Sequence, residues 1–310
     1  MCRLRFIFKL TVILFAFLSG GCTSSPKVNL KKYRTITLSD GSQIQILFNA
    51  RRVMGLSPAI TEMLFNILPD SQIVAVTTHC NYPEALIKGK PKIGVLPLDI
   101  EQIIKIKPEV IFSEEGMTNP QDVAQLRKLG FAVVVFSYQK TTDILNAMDS
   151  IRTWIVSRKE AKKRIDTLQV QLLLQENKYK NLSLESRPKI LAITWLDPIF
   201  AYGYETWMTD KIWLAGGRNI LSEKLDKPYP VIQRETILKL NPDVIFGGNF
   251  EKMDSTFFKQ YPELRKTNAY KNQMVFSLND DLASRPGPRF LFGIKEIELF
   301  LTGKSSNPDQ

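Results

Sequence analysis

The side chains able to do chemistry are few, and their types restrict what that chemistry can be. His79 is the single histidine among 310 residues and stands beside Cys80, one of three cysteines. A lone neutral imidazole can be an axial ligand to a chelated metal, or simply a polar loop wall. It cannot supply a zinc site built on several histidines, so no resident metal is expected. Cys2, Cys22 and Cys80 cannot form a disulfide scaffold. There is no Gly-x-Ser-x-Gly elbow, no P-loop lysine, no Gly-x-Gly-x-x-Gly and no second histidine to pair with His79. A surface enzyme such as a chelatase therefore has little to work with, and no catalytic residue is assigned. Two acids stand out instead. Residues 101–112 read EQIIKIKPEVIF and residues 235–246 read ETILKLNPDVIF, with seven of the twelve positions identical. Glu101 and Glu235 lead the two copies. Each carboxylate favours the start of its helix by about 0.3–1 kcal/mol.

Cys22 has a different setting. Arg3, Arg5 and Lys9 precede an apolar stretch over 10–18, broken only by Thr11. That stretch is shorter than the about 20 residues a membrane span needs and suits a secretory leader. Ser19, Gly20 and Gly21 then lead into Cys22, and Leu-Ser-Gly-Gly-Cys resembles a bacterial lipobox. This predicts a lipoprotein signal peptide over 1–21 and lipidation of Cys22. The chain would then sit in the bacterial cell envelope, on the periplasmic side of a membrane or on the cell surface. Losing Arg3, Arg5 and Lys9 lowers the formal net charge from +11 to +8. Among the remaining cations, Arg158, Lys159, Lys162, Lys163 and Arg164 cluster on a predicted helix. They read as its solvated face and call for no nucleic acid.

The elements that position these residues follow from periodicity. Strands are predicted over 52–56, 73–77, 110–113, 131–136, 190–194, 244–246 and 273–277. Helices are predicted over 59–67, 100–106, 121–129, 209–215 and 235–240. Short strand–helix alternation implies an α/β fold with largely parallel sheets. A small hairpin over 33–38 and 43–48 precedes them. From 131 to 187 there is neither glycine nor proline, and the helix-favouring run from 142 to about 182 is expected to break near Ser157 into a lobe helix and a long connector. The repeat offset of 134 residues is domain-sized. The expected organisation is a lipidated tether and hairpin over 22–50, an N-terminal lobe over 51–150, a connecting helix over 151–186, a C-terminal lobe over 187–304 and a tail over 305–310.

Residues 52–67 read RVMGLSPAITEMLFNI, followed by VAVTTHCNYPEA at 74–85 and GKPKIG at 89–94. Later come KILAITWLDPIFAYG at 189–203, WLAGGRNI at 213–220 and DDLASRPGPRF at 280–290. In this order the set resembles the helical-backbone substrate-binding proteins of ABC importers for vitamin B12, ferric siderophores and haem, and looks closest to the vitamin B12 binders. The resemblance implies two Rossmann-like lobes joined by a long rigid helix, with one ligand cleft between them and little hinge motion. It implies a monomer without cofactor that delivers its cargo to an ABC permease dimer and its ATPase subunits. It carries ligand contact onto Ser57, Pro58, Ala59, His79, Glu114 and Met117 of the first lobe. On the second lobe it points to Trp195, Asp197, Tyr202, Trp207, Asp281 and Arg285. It makes Glu101 and Glu235 the permease-docking residues. The ligand expected is cobalamin or a related corrinoid, with a ferric siderophore or haem as the alternative. Asp281 and Arg285 could also simply pair with each other, and Arg289 could be structural.

Overall fold

Continuous apolar runs, many of them β-branched, become two buried parallel sheets. The protein is described here from a computed structural model, covering residues 32–38, 41–156, 158–221, 227–248 and 253–303. A hairpin of β1 (Tyr33–Thr37) and β2 (Gln43–Leu47) comes first. The first lobe then runs through β3 (Val53–Gly55), α1 (Pro58–Ile67), β4 (Ile73–Thr77), α2 (Glu84–Ile87), β5 (Lys92–Ile93), α3 (Ile100–Ile106), β6 (Val110–Glu114), α4 (Pro120–Lys128), β7 (Val133–Phe136) and α5 (Thr141–Ile155). Its five strands are parallel in the order β5-β4-β3-β6-β7.

α5 ends at Ile155, and α6 (Lys159–Tyr179) carries the chain to the second lobe. There follow β8 (Lys189–Trp195), β9 (Phe200–Ala201), α7 (Trp207–Leu214), β10 (Arg218–Asn219), α8 (Arg234–Leu240), β11 (Val244–Gly247), α9 (Met253–Gln260), α10 (Asn268–Lys271), β12 (Val275–Ser277), α11 (Asp280–Ser284) and α12 (Phe290–Leu301). Four strands are parallel in the order β10-β8-β11-β12, and β9 lies antiparallel to β8. With the two-residue edge strand β5 and the antiparallel β9 set aside, the lobes repeat one strand order, the first strand lying between the second and the third.

The sequence repeat is a structural repeat. In each copy a seven-residue helix, α3 or α8, closes on a left-handed residue, Lys107 (φ 53) or Asn241 (φ 47), before proline starts the approach to the strand. The acid that follows does the same work in both. Glu109 accepts the Arg51 and Arg52 amides at 2.7 and 3.2 Å, tying down the start of β3. Asp243 accepts the Lys189 amide at 2.9 Å at the start of β8.

Two apolar clusters back the outer faces of the sheets, one around Ile103 and Ile111, the other around Ile237 and Ile245. The largest cluster belongs to both lobes. It runs from Ile36 of the hairpin through α1 and α5 to Ile165 and Leu172 of α6, then on to Ile190, Trp207 and Phe290. α12 was not anticipated from sequence. It packs so closely that a Cβ on Gly293 would stand 2.6 Å from the Leu282 carbonyl oxygen.

Candidate ligand cleft

In a sheet of this strand order the helical crossovers change side between the first and third strands, and ligands bind outside the strand C-termini at that point. The relevant ends are those of β3 and β6 in the first lobe and β8 and β11 in the second. Most of the cleft residues expected from sequence lie at or near these ends.

On the first lobe, Ser57 caps α1: its Oγ accepts the Ile60 amide at 3.2 Å, with Pro58 in the first turn. Ser57, Pro58 and Ala59 are all buried at this strand end. Glu114 ends β6 and is 4% exposed. Burial pushes its carboxyl up to about 7, against the lowering effects of a hydrogen bond from Ser57 and the charge of Arg285. Its Oε2 has no partner. Met117, three residues on, is exposed.

On the second lobe, Trp195 ends β8 and is 58% exposed, its indole N–H donating to the Asp197 carbonyl at 2.9 Å. The Asp197 carboxylate turns to the Tyr261 hydroxyl at 3.2 Å. Tyr202 and Trp207 meet edge to face at 5.9 Å, and Tyr202 and Tyr229 at 5.7 Å. The Trp207 indole hydrogen-bonds the Tyr229 side chain. Trp207 is itself 5% exposed and so supports the rings in front of it. A cavity of about 250 Å³ opens among Trp195, Tyr202, Gly247, Gly248 and Asp280. Tyr229 was missed from sequence, although an aromatic residue between Pro228 and Pro230 is a recognisable surface presentation.

The lobes meet in a polar knot at one edge. Asp281 and Arg285 do pair, at 2.6 Å. Arg285 also reaches across to Glu62 Oε1 at 3.1 Å, Asn81 Oδ1 at 2.7 Å and the His79 carbonyl at 3.4 Å. Arg289 grips Glu62 with two bonds of 2.7 and 2.6 Å and lies over the Tyr82 ring. Arg289 is thus structural, and the 3% exposed Glu62 is its neutralising partner. Behind the knot, Lys211 is fully buried on α7, donating to the Leu282 carbonyl at 2.8 Å above the Trp207 ring. Its desolvation pulls it down to about 7.

His79 is exposed at the rim, 3.4 Å from Thr78 Oγ1, and no cluster of metal-ligating side chains occurs among the described residues. Cys80 is a free, buried thiol packed in the shared core. Glu101 and Glu235 are both the exposed second residue of their helices, outside the cleft. Cys22 lies outside the described residues.

With this geometry in view, the sequence matches the family model described as periplasmic binding protein over residues 53–282. The chain belongs to the periplasmic binding protein family. Its relatives include the ABC transporter substrate-binding lipoprotein YvrC of Bacillus subtilis, 24% identical over 92% of this chain and 93% of that one. The vitamin B12-binding protein of Pectobacterium atrosepticum is 27% identical over 80% of this chain and 87% of its own. Among solved structures, the periplasmic vitamin B12-binding protein BtuF of Vibrio cholerae superposes with a TM-score of 0.72 at 23% identity, covering 82% of this chain and 98% of that one. The periplasmic haem-binding protein RhuT of Roseiflexus superposes at 0.68 with 18% identity, covering 82% and 98%. As a periplasmic binding protein of the class III fold, the chain has two α/β lobes and a connecting helix, here α6. α6 packs Ala161, Ile165 and Leu172 into the shared core.

Proposed function

We propose that this is a lipid-anchored substrate-binding protein of an ABC importer, capturing cobalamin or a related corrinoid between its lobes and handing it to the permease. The observation that carries the reading is the pairing of two strand-end switch points, one faced with Trp195, Tyr202 and Tyr229. Aromatic faces of that kind suit a large flat macrocycle. The vitamin B12-binding and substrate-binding lipoprotein relatives support it. Met117, His79 and Asp197 form the rim, and Ser57, Pro58, Ala59, Glu114 and Trp207 the floor. The protein needs no cofactor; the corrinoid is cargo. Calorimetry on the purified chain should give micromolar or tighter binding of cyanocobalamin, roughly −8 kcal/mol or better. A panel in which only a ferric siderophore or haem produces heat would replace the ligand and keep the importer role. Turnover of a substrate that disappears in His79→Ala would replace the binding role with an enzymatic one.

Glu101 and Glu235 occupy the same place in two copies of one structural repeat, so a carrier with approximate twofold symmetry presents matched carboxylates to a two-fold permease dimer. Substituting both by alanine should weaken permease binding and leave ligand affinity unchanged. The anchor is Cys22, and radiolabelled fatty acid should enter the wild-type chain but not Cys22→Ala.

A further inference from the structure

Among the described residues, Glu114 is a buried strand-end acid that makes no ion pair. Ser57 Oγ already accepts the Ile60 amide, which leaves its proton for the Glu114 carboxyl. The other oxygen, Oε2, is buried without a partner. An unsatisfied buried acceptor of this kind is costly to keep. Arg285 is near enough to be felt, but its guanidinium is committed to Glu62, Asp281 and Asn81. Arg289 is committed to Glu62. Three carboxylates, Glu62, Asp281 and Glu114, thus face two guanidiniums. Lys211 bonds the Leu282 carbonyl. Among the described residues, no cation of the floor is left to receive a ligand carboxylate.

We propose that Glu114 selects the ligand by charge: its free oxygen accepts an N–H from a neutral side-chain amide of the ligand, and the floor turns away ligands that bring carboxylates. This rests on the corrinoid reading above and sharpens it. A corrinoid carries peripheral amides, which donate; a haem carries propionates, which when ionised only accept. The same strand-end position in the second lobe is Gly248, so the selecting group belongs to one lobe only.

The titration gives the signature. Glu114 sits at about 7 in the free protein. An N–H donor favours its ionised form, so donor-ligand affinity rises with pH through that value. A carboxylate ligand favours the protonated form and shows the opposite slope. The groups facing Glu114 are silent there. Ser57 does not titrate, and burial and neighbouring acids move Tyr138 and Tyr229 upward. Lys211 titrates in the same range, so the variant is needed to assign the slope.

The test is calorimetry with cyanocobalamin and with haemin on the detergent-solubilised full chain, from pH 6 to pH 8, for wild type, Glu114→Gln and Glu114→Asp. Wild type should bind cyanocobalamin about tenfold tighter at pH 8 than at pH 6, Glu114→Asp should keep the slope, and Glu114→Gln should be flat. Haemin should bind weakly to wild type and gain in Glu114→Gln. Cyanocobalamin binding without a slope in wild type, or with the slope intact in Glu114→Gln, overturns the role of Glu114 and leaves the corrinoid reading standing. Haemin binding to wild type more tightly than cyanocobalamin overturns both. A flat wild-type profile overturns the idea without any variant, and where Glu114→Gln folds poorly, Lys211→Met assigns the slope: it should be kept there, and its loss overturns the role of Glu114.

Discussion

The two lobes share a backbone plan and differ in where they bury charge. Helix α1 starts on Ser57 and carries Glu62 five residues on; α7 starts on Thr206 and carries Lys211 five residues on. Both side chains are buried, with opposite signs. At the third strand the first lobe ends on Glu114, where the second has Gly248, whose missing side chain leaves room for Asp280: a Cβ there would stand 2.6 Å from Asp280 Oδ1. Duplicated scaffolding thus carries a buried acid at a strand end of one lobe and a cluster of aromatic rings in the other. The repeat holds the strand ends in register, and the exceptions to it supply the chemistry.

The strongest way to break this comparison is to remove the charge on the first-lobe helix. Glu62→Ala strands Arg285 and Arg289, whose side chains are largely buried. It should cost about 3–5 kcal/mol of stability in denaturant titrations. A loss below about 1 kcal/mol would mean that the knot does not hold the lobes together.

The second-lobe charge should show itself through pH. Lys211 falls from 10.5 to about 7 on folding, because burial disfavours its charged form. Between those values the unfolded chain binds more protons than the folded one, so stability rises with pH across that window. Thermal melts should be higher at pH 9 than at pH 7 for wild type, and Lys211→Met should lose the difference. An undiminished rise in the variant would assign it elsewhere.

The smallest effect compares the two helix ends. Lys107 and Asn241 both take positive φ, a conformation that suits asparagine better than lysine. Asn241 Oδ1 also accepts the Asn268 amide at 2.8 Å. Lys107→Gly should therefore stabilise by about 0.5–1 kcal/mol, while Asn241→Gly should gain nothing or lose, as read by denaturation midpoint. Equal responses would erase the distinction between the two caps.

Much of the fold was legible because buried parallel strands are continuous apolar runs. The strand predicted over 73–77 is β4 as observed, and most of the others differ by one or two residues at an end. The repeat announced the lobes. α12 escaped because Phe292 and Leu299 interrupt its polar face and Gly293 looks like a breaker, so the helical period was blurred. Strand order was not readable, since it depends on which helix crosses which face. Within the site, the Asp281–Arg285 pair was expected from two opposite charges close together in the sequence. Glu62 was not, because its two partners enter from a remote segment and a single acid in an apolar helix says nothing about what neutralises it. The unpartnered oxygen of Glu114 likewise became visible only in the folded protein.

The knot at Glu62 has a consequence for how the molecule comes into being. Its partners lie 223 and 227 residues further along the chain. A polypeptide delivered from its N-terminus can form β3, α1 and the neighbouring strands early, but it holds a buried acid in search of a counter-charge until residue 289 has arrived. The first lobe, begun first, is among the last parts to be finished.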